Sequence, residues 1–373
     1  MRIMQVEAFY PAALDKFYER FPEMGAAGWR EQTDALLADG FSAGHNIVPY
    51  LDKLGYEPTF IIANCAPSQL AWLKEHGEAG FPDQDPLRTV LRRQIETIRP
   101  DILYFSDALQ FESNFVRSLS YRPKLVIGWH AAPLPDGHDW SAFDIILSGL
   151  ASMRIMARLL GAKASEHFMP GIPAWVPVIS AEIPESHDIL FAGSCNPGQH
   201  HNRNLLLAEL GEHATRNGYD CAFHLTSTAP VQDQPSILRW YRPPVFANEM
   251  ITTLKSGRIV FDSRSTMAGR APDNVLYDLA GNETSNMRVF EATGSGAFLL
   301  TEHFDNLSNY FNVGEEIETF TTKDELLEKV DFFLRNPEKR LEIARRGQMR
   351  CLADHSMEKR AVEFDAILRR HLS

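Results

Sequence analysis

Short apolar runs alternate with segments of helical spacing along the first half of the chain. The runs predict buried strands at 59–62, 102–105, 124–128 and 144–147. The helical patterns lie at 87–98, 111–119 and 153–160. Strands that alternate with helices in this way form a parallel sheet flanked by helices, because each connection must cross a face of the sheet. The first half therefore predicts one α/β domain.

A proline-rich passage at 169–184 interrupts this pattern, and the alternation then resumes. Strands are predicted at 189–192, 221–225, 259–262 and 297–301. Helices are predicted at 202–216 and 246–255, and again at 323–334, 337–352 and 357–372. The pattern predicts two doubly wound domains, 1–178 and 179–355, followed by a C-terminal helix at 356–373.

The segment 282–302, NETSNMRVFEATGSGAFLLTE, combines charge with close packing. If a helix begins near Ser285 or Asn286, both good N-cap types, its unpaired N–H groups would suit a diphosphate. Arg288 and Glu291 would share a face of this helix, with the guanidinium on the phosphates and the carboxylate on a ribose diol. The alternative is a surface ion pair followed by a glycine C-cap.

Two stretches carry a resemblance to a known family. The run 286–297, NMRVFEATGSGA, is similar to the signature of bacterial CgeB-like glycosyltransferases of the GT-B superfamily, and 64–77 resembles an N-terminal signature of part of that group. The resemblance implies two Rossmann-like domains facing a cleft, with the last helix crossing back to the first domain. Glu283 and Glu291 resemble the two-glutamate element of retaining members, in which the second carboxylate binds the ribose and the first lies near the donor sugar. Thr284 and Ser285 replace the small residues usual after the first glutamate.

Other residues around the predicted strand ends suit the same donor. The Gly193-Ser194 turn would let a diphosphate approach the backbone, and in CgeB-like proteins the comparable turn borders the donor site. Arg203 follows as a candidate phosphate contact, although a plain strand-to-helix turn explains the pattern equally well. Arg264 either approaches the phosphates or pairs with Asp262 or Asp273. The remaining donor-side candidates, from the 286–297 run, are Asn286 and Gly294.

Two histidines are candidates on the side of the first domain. His130 follows a predicted strand, and many GT-B enzymes carry a functional histidine facing the donor sugar after a corresponding strand. A structural hydrogen bond is the alternative. His45 lies in a small-residue loop that could line an acceptor groove, and a structural role is favoured for it. With Glu283, His130 is the catalytic candidate.

Composition narrows the class of protein. The chain has 373 residues and a formal net charge of −12, which disfavours a general nucleic-acid binder. Its four cysteines show no CxxC spacing, and no run approaches the ~18 apolar residues of a membrane span. The N-terminus lacks a signal-peptide core. We expect a cytoplasmic protein, compatible with peripheral membrane contact, whose oligomeric state the sequence does not give.

The predicted activity is transfer of a sugar from a UDP- or GDP-linked donor to a glycan, lipid-linked or protein acceptor, without a metal or further cofactor. Asp83-Gln84-Asp85 matches a DxD metal motif, but flanking prolines favour a turn. The alternatives are a sugar-nucleotide epimerase, a hydrolase, and a non-catalytic carbohydrate-binding relative. A dinucleotide oxidoreductase fits less well, because the glycines at 294 and 296 follow a helix instead of opening one.

Overall fold

The computed structural model describes residues 1–82, 84–196 and 198–372. The chain divides into two compact units. The first unit comprises Met1–Met169, Ala268–Leu279 and Glu358–Ser373, and the second comprises Pro170–Met267 and Ala280–Met357. Asp83 of the DxD motif lies outside the described residues.

The first unit is built on a parallel sheet, which has six strands in the described part of the chain, in the order β2-β1-β3-β4-β5-β6. The strands are β1 Arg2–Glu7, β2 Glu57–Ile62, β3 Ile102–Phe105, β4 Leu125–Trp129, β5 Ile145–Ser148 and β6 Ala164–His167. All four residues of β3 and of β5 are buried. Such strands are covered on both faces, which explains their continuous apolar sequence.

Six helices of the first unit precede the second unit in the described sequence. They are α1 Pro11–Arg20, α2 Trp29–Asp39, α3 Ala66–Glu75, α4 Pro86–Ile98, α5 Ser113–Arg117 and α6 Ala151–Leu159. Two of the corresponding sequence patterns, for α4 and α6, are confirmed to within two residues at each end. The helix predicted at 111–119 is shorter, because Glu112 is in extended conformation and serves as the N-cap of α5.

The second unit repeats the architecture. Its sheet is also parallel, with the order β14-β13-β10-β7-β8-β9 in the described residues. Its strands are β7 His187–Gly193, β8 Cys221–Leu225, β9 Tyr241–Arg242, β10 Gly257–Asp262, β13 Leu299–Glu302 and β14 Glu318–Phe320. Its helices are α7 Val176–Ser180, α8 His201–Asn217, α9 Pro235–Leu238, α10 Ala247–Ser256, α11 Arg288–Gly294, α12 Lys323–Arg335 and α13 Pro337–Asp354. Leu207, Leu210 and Ala214 of α8 recur at helical spacing in its buried core.

Two later segments of the chain pack with the first unit. One is an antiparallel hairpin of β11 Ala268–Arg270 and β12 Leu276–Asp278, in which Leu134 donates its backbone N–H to the carbonyl of Ala268. The other is the last helix, α14 Met357–Leu372. Phe364 of α14 packs 5.2 Å from the ring of Tyr104, and Tyr56 donates a hydrogen bond of 2.8 Å to Asp365. The first unit is thus completed by the C-terminal helix.

Candidate functional site

Polar side chains collect at the carboxyl edge of the second sheet. The strands β13, β10 and β7 are neighbours there. Their last residues or the residues that follow are Glu302, Asp262 and the pair Gly193-Ser194. Ligands of open α/β sheets bind at the carboxyl ends of the strands, so this edge is the candidate donor site.

The loop that leads into α11 is held by a short 3₁₀ helix, Asp305–Asn309. Thr284 donates its backbone N–H to the side-chain oxygen of Asn306 at 2.9 Å, and the amide of Asn306 donates back to the Thr284 carbonyl at 2.7 Å. The Asn282 amide donates to Asp305 at 2.7 Å. Glu283, which is partly buried, is therefore carried on a loop fixed at both sides.

The helix α11 begins close to the start that the sequence predicts. Its first residue is Arg288, and Met287 is the N-cap. The side-chain oxygen of Asn286 accepts the backbone N–H of Arg288 at 3.0 Å, while its amide donates to both carboxylate oxygens of Asp262 at 3.0 Å. The observed N-cap thus lies within two residues of the predicted one, and the N–H of Arg288, which was expected to bind phosphate, already has a partner.

Arg288 and Glu291 lie on one face of α11, as the sequence predicts. The Nη1 of Arg288 is 2.9 Å from the Oε2 of Glu291, and both side chains are only about one-tenth exposed, at 12% and 11%. The Nη2 of Arg288 also donates to the Ala192 carbonyl at 3.0 Å. Burial raises the pKa of Glu291, and the Arg288 charge opposes that shift. The pair is therefore a largely buried ion pair and not the surface pair of the alternative interpretation.

Arg203 connects two loops of this edge. Its Nε donates to the Ser263 carbonyl at 2.7 Å and its Nη1 to the Ser194 carbonyl at 2.9 Å. Its guanidinium lies 5.5 Å from the centre of the Phe191 ring, and the residue is 7% exposed. Burial lowers the pKa of Arg203. In this structure the side chain positions the turns after β7 and β10, and its contact with phosphate stays a prediction.

Arg264 has more donor capacity left. Its Nη2 donates to the Gly281 carbonyl at 2.5 Å, and its guanidinium lies 5.0 Å from the Phe304 ring centre. Its buried Nε has no hydrogen-bond partner within the described residues. The structure records no ion pair of Arg264 with Asp262 or Asp273 among those residues, so the alternative of an ion-paired role is not supported.

Sequence reasoning missed a second carboxylate beside Asp262. Glu302 accepts hydrogen bonds from Ser263 at 2.5 Å and from the Asn202 amide at 2.7 Å. Burial raises the pKa of Glu302 and that of Asp262, and for Asp262 the charges of Arg203 and Arg288 oppose the shift. The signal was available, because Asp262 ends one predicted strand and Glu302 directly follows another of the same α/β domain.

The glycines of the segment serve packing. A Cβ on Gly294 would lie 2.6 Å from the Cγ1 of Ile172, and Gln348 donates to the Gly294 carbonyl at 3.0 Å. Gly294 is the last residue of α11, and Gly296 has φ of +79° in the turn that follows. The expected close packing is confirmed. These contacts give Gly294 a packing role, and its contact with the donor stays a prediction.

Both candidate histidines of the first unit are held by neighbouring groups. His130 follows β4, its Nε2 donates to the Ala132 carbonyl at 2.8 Å, and burial lowers its pKa to about 4. His45 packs 4.2 Å from the ring of Trp129, the neighbour of His130, and burial lowers its pKa to about 4 as well. Both rings are therefore neutral at pH 7, which suits hydrogen bonding more than charge stabilisation.

No group of three or more His, Cys, Asp or Glu side chains in the described residues is placed to hold a metal ion. In that same part of the chain, none of the helices has the length and apolar composition needed to cross a membrane.

Comparison with solved structures defines the class of fold. The structure is similar to HepE from Anabaena in complex with UDP-glucose, with a TM-score of 0.61 at 10% identity over 99% of this chain and 100% of that chain. It is similar to a glycosyltransferase from Rickettsia africae, with a TM-score of 0.58 at 10% identity over 100% and 98%. It is also similar to sucrose-phosphate synthase from Thermosynechococcus elongatus, with a TM-score of 0.57 at 8% identity over 99% of both chains. The predicted α/β GT-B fold is confirmed.

The sequence itself adds a family match. Residues 203–366 match a family described as glycosyl transferase-like. The match covers most of the second unit, including α11 and both carboxylates Asp262 and Glu302. No curated protein matches the chain.

Proposed function

We propose that this protein is a glycosyltransferase of the CgeB-like group that moves a sugar from a nucleotide donor to a carbohydrate-containing acceptor. The observation that carries the proposal is the buried Arg288–Glu291 pair, which lies beside Asn286 and Asp262 at the carboxyl edge of the second sheet. The glycosyl transferase-like match over 203–366 and the fold shared with HepE, whose structure holds UDP-glucose, support it.

The donor would be a UDP- or GDP-linked sugar. Glu291, held by Arg288, would accept hydrogen bonds from the ribose diol, and the turn at Gly193-Ser194 would let the diphosphate approach the backbone. The buried Nε of Arg264 has no hydrogen-bond partner within the described residues, so we assign to Arg264 the stabilisation of charge on the leaving diphosphate. Glu283 would lie near the donor sugar, and the catalytic role of His130 stays a prediction. In this proposal arginines neutralise the diphosphate and no metal is required.

The acceptor is a glycan, a lipid-linked sugar or a glycosylated protein. The two-glutamate spacing of Glu283 and Glu291 predicts that the anomeric configuration is retained. The configuration of the first product, read by proton NMR, decides this point.

Nucleotide binding tests the donor site. UDP, GDP and their glucose and mannose conjugates are screened by thermal shift, where a ligand at 100 times its Kd stabilises the folded state by about 2.7 kcal/mol. We expect at least one nucleotide to raise the melting temperature, and Arg264→Ala to weaken its binding at least about tenfold. Arg335→Ala is the matched control, because Arg335 lies in the same unit with its side chain 72% exposed.

Two results would contradict the proposal. One is the absence of any nucleotide-dependent shift, and the other is equal affinity in Arg264→Ala and Arg335→Ala. Product analysis with a donor that binds then separates the activities. A sugar transferred to an acceptor supports the transferase. An epimerised nucleotide sugar indicates the epimerase, and hydrolysis that acceptors do not suppress indicates the hydrolase. Binding without turnover across a broad acceptor panel indicates a carbohydrate-binding relative.

A further inference from the structure

Asp262 is a buried carboxylate of the second unit to which the proposed glycosyl transfer gives no role. It is the last residue of β10 and is 3% exposed. The strand β10 lies inside the sheet, between β13 and β7, and Asp262 itself is in register with Thr301 of β13. The carboxylate is therefore carried by a strand whose backbone the sheet holds in place.

The helix α11 has no comparable support of its own. It has only seven residues, and its N-cap residue, Met287, makes no side-chain capping hydrogen bond. Helices this short are unstable alone, because their few hydrogen bonds do not offset the cost of forming the first turn. The position of that turn, which carries Arg288 and Glu291, therefore depends on contacts from outside the helix.

Asn286 connects the strand to the helix. Its side-chain nitrogen donates to both carboxylate oxygens of Asp262 at 3.0 Å. Its side-chain oxygen accepts the backbone N–H of Arg288 at 3.0 Å. The nitrogen and oxygen belong to one planar amide, so a contact that holds the nitrogen also fixes the direction of the oxygen. Asp262 thereby determines where the first turn of α11 lies.

The charge of Asp262 also acts on two buried guanidinium groups. Burial raises the pKa of Asp262, and the charges of Arg203 and Arg288 oppose that shift. Burial lowers the pKa of Arg203, the charge of Asp262 opposes this shift, and the charge of Arg288 adds to it. Without Asp262 the two arginines would repel each other with no anion between them. The carboxylate therefore helps to keep Arg288 beside Glu291.

We propose that Asp262 is a positioning residue for nucleotide recognition, and this inference rests on the proposed function. Through Asn286 it holds the first turn of α11 and so places the carboxylate of Glu291 at the ribose diol of the donor. Asp262 itself touches neither the donor nor the reacting atoms. All the residues of this path lie within the second unit.

The test compares a ribonucleotide with its 2′-deoxy form by isothermal titration calorimetry. UDP and 2′-deoxy-UDP, or the GDP pair if the binding screen retains GDP, differ only in a hydroxyl that would donate to Glu291. The ratio of their Kd values therefore measures how well this carboxylate is placed, and it cancels any change of charge near the diphosphate that both share. We expect wild type to prefer the ribonucleotide by at least about tenfold, the usual strength of a hydrogen bond to a charged group.

The variants separate positioning from stability, since each ratio is measured on folded protein. Glu291→Ala gives the ratio without the carboxylate, and Asp262→Ala should come within about threefold of it. Asn286→Ala should do the same, and it carries the test if Asp262→Ala does not fold, because Asp262 reaches α11 through this amide.

Asp188→Ala is the matched control. The Asp188 side chain is only 15% exposed and pairs with Arg258 at 2.5 Å, but it lies near the amino end of β7, at the opposite edge of the same sheet. Its loss should lower stability and leave the ratio of the two Kd values at the wild-type level.

Several results would overturn the inference. A folded Asp262→Ala or Asn286→Ala that keeps the wild-type ratio would do so, and so would an Asp188→Ala that loses the ratio as fully as Asp262→Ala. A wild type that binds both nucleotides equally would refute the ribose contact of Glu291, and the role of Asp262 with it. A wild type that binds no nucleotide would instead refute the proposed function, on which this inference depends.

Discussion

Replacing Glu7 by glutamine should change how the stability of the protein depends on pH. Burial raises the pKa of Glu7 from 4.5 to about 8. In the unfolded chain the group ionises near 4.5, so the stability that it contributes is complete below that pH and is lost as the pH rises to about 8. Each pH unit in this window weakens the wild type by about 1.4 kcal/mol. By pH 7 the loss is roughly 3 kcal/mol, and Glu7→Gln escapes it because glutamine does not ionise.

Thermal denaturation of the two proteins at pH 5, 7 and 9 measures this difference. For a unit of this size about 1 kcal/mol corresponds to 2–4 °C. We expect the melting temperature of Glu7→Gln to gain roughly 5–10 °C on wild type between pH 5 and pH 7, and roughly 3–5 °C more by pH 9. Taking the difference between the variants cancels the titration of Asp262, Glu291 and Glu302, whose pKa values burial also raises. A difference that stays constant from pH 5 to pH 9 would refute the reasoning.

Two further predictions concern packing in the second unit. Arg340 is 3% exposed and pairs with both carboxylate oxygens of Glu185, at 2.5 and 2.8 Å. Arg340→Ala should therefore lower the free energy of unfolding by about 3–5 kcal/mol in urea titrations. The control Arg335→Ala, at an exposed side chain, should change the free energy of unfolding by less than about 0.5 kcal/mol. Gly294→Ala should lower the free energy of unfolding by about 1–3 kcal/mol, because the new methyl group meets Ile172. Adding Ile172→Ala should recover part of this loss. Strictly additive effects of the two substitutions would contradict this account.

The strands that the sequence reveals are those covered on both faces. The predicted strands at 102–105 and 221–225 coincide with β3 and β8, because every residue except His224 is buried and nearly all are apolar. The strand β1 was missed, since Gln5 and Glu7 interrupt its apolar pattern. Gln5 is fully buried, and His45, Val48 and Ser106 satisfy the hydrogen bonds of its side-chain amide. These partners are at least 40 residues away in the sequence, so no local pattern predicts that Gln5 is buried.

Some contacts of the candidate site follow from local spacing in the sequence, and others do not. The Arg288–Glu291 pair follows from positions three apart on one helix, so spacing alone predicts it. The contacts of Asn286 with Asp262, and of Ser263 with Glu302, depend on which strands are neighbours in the sheet, and the sequence does not give the strand order. The hairpin at 268–279 was missed because its strands have three residues each and β12 is exposed.

The surroundings of two buried glutamates argue for different roles. Burial raises the pKa of both Glu7 and Glu291, but the guanidinium of Arg288, 2.9 Å from Glu291, opposes the shift there. A carboxylate held by a cation stays ionised and accepts hydrogen bonds, which suits a ribose diol. No cation opposes the shift at Glu7 within the described residues, so that carboxyl keeps its proton to a higher pH than an exposed one.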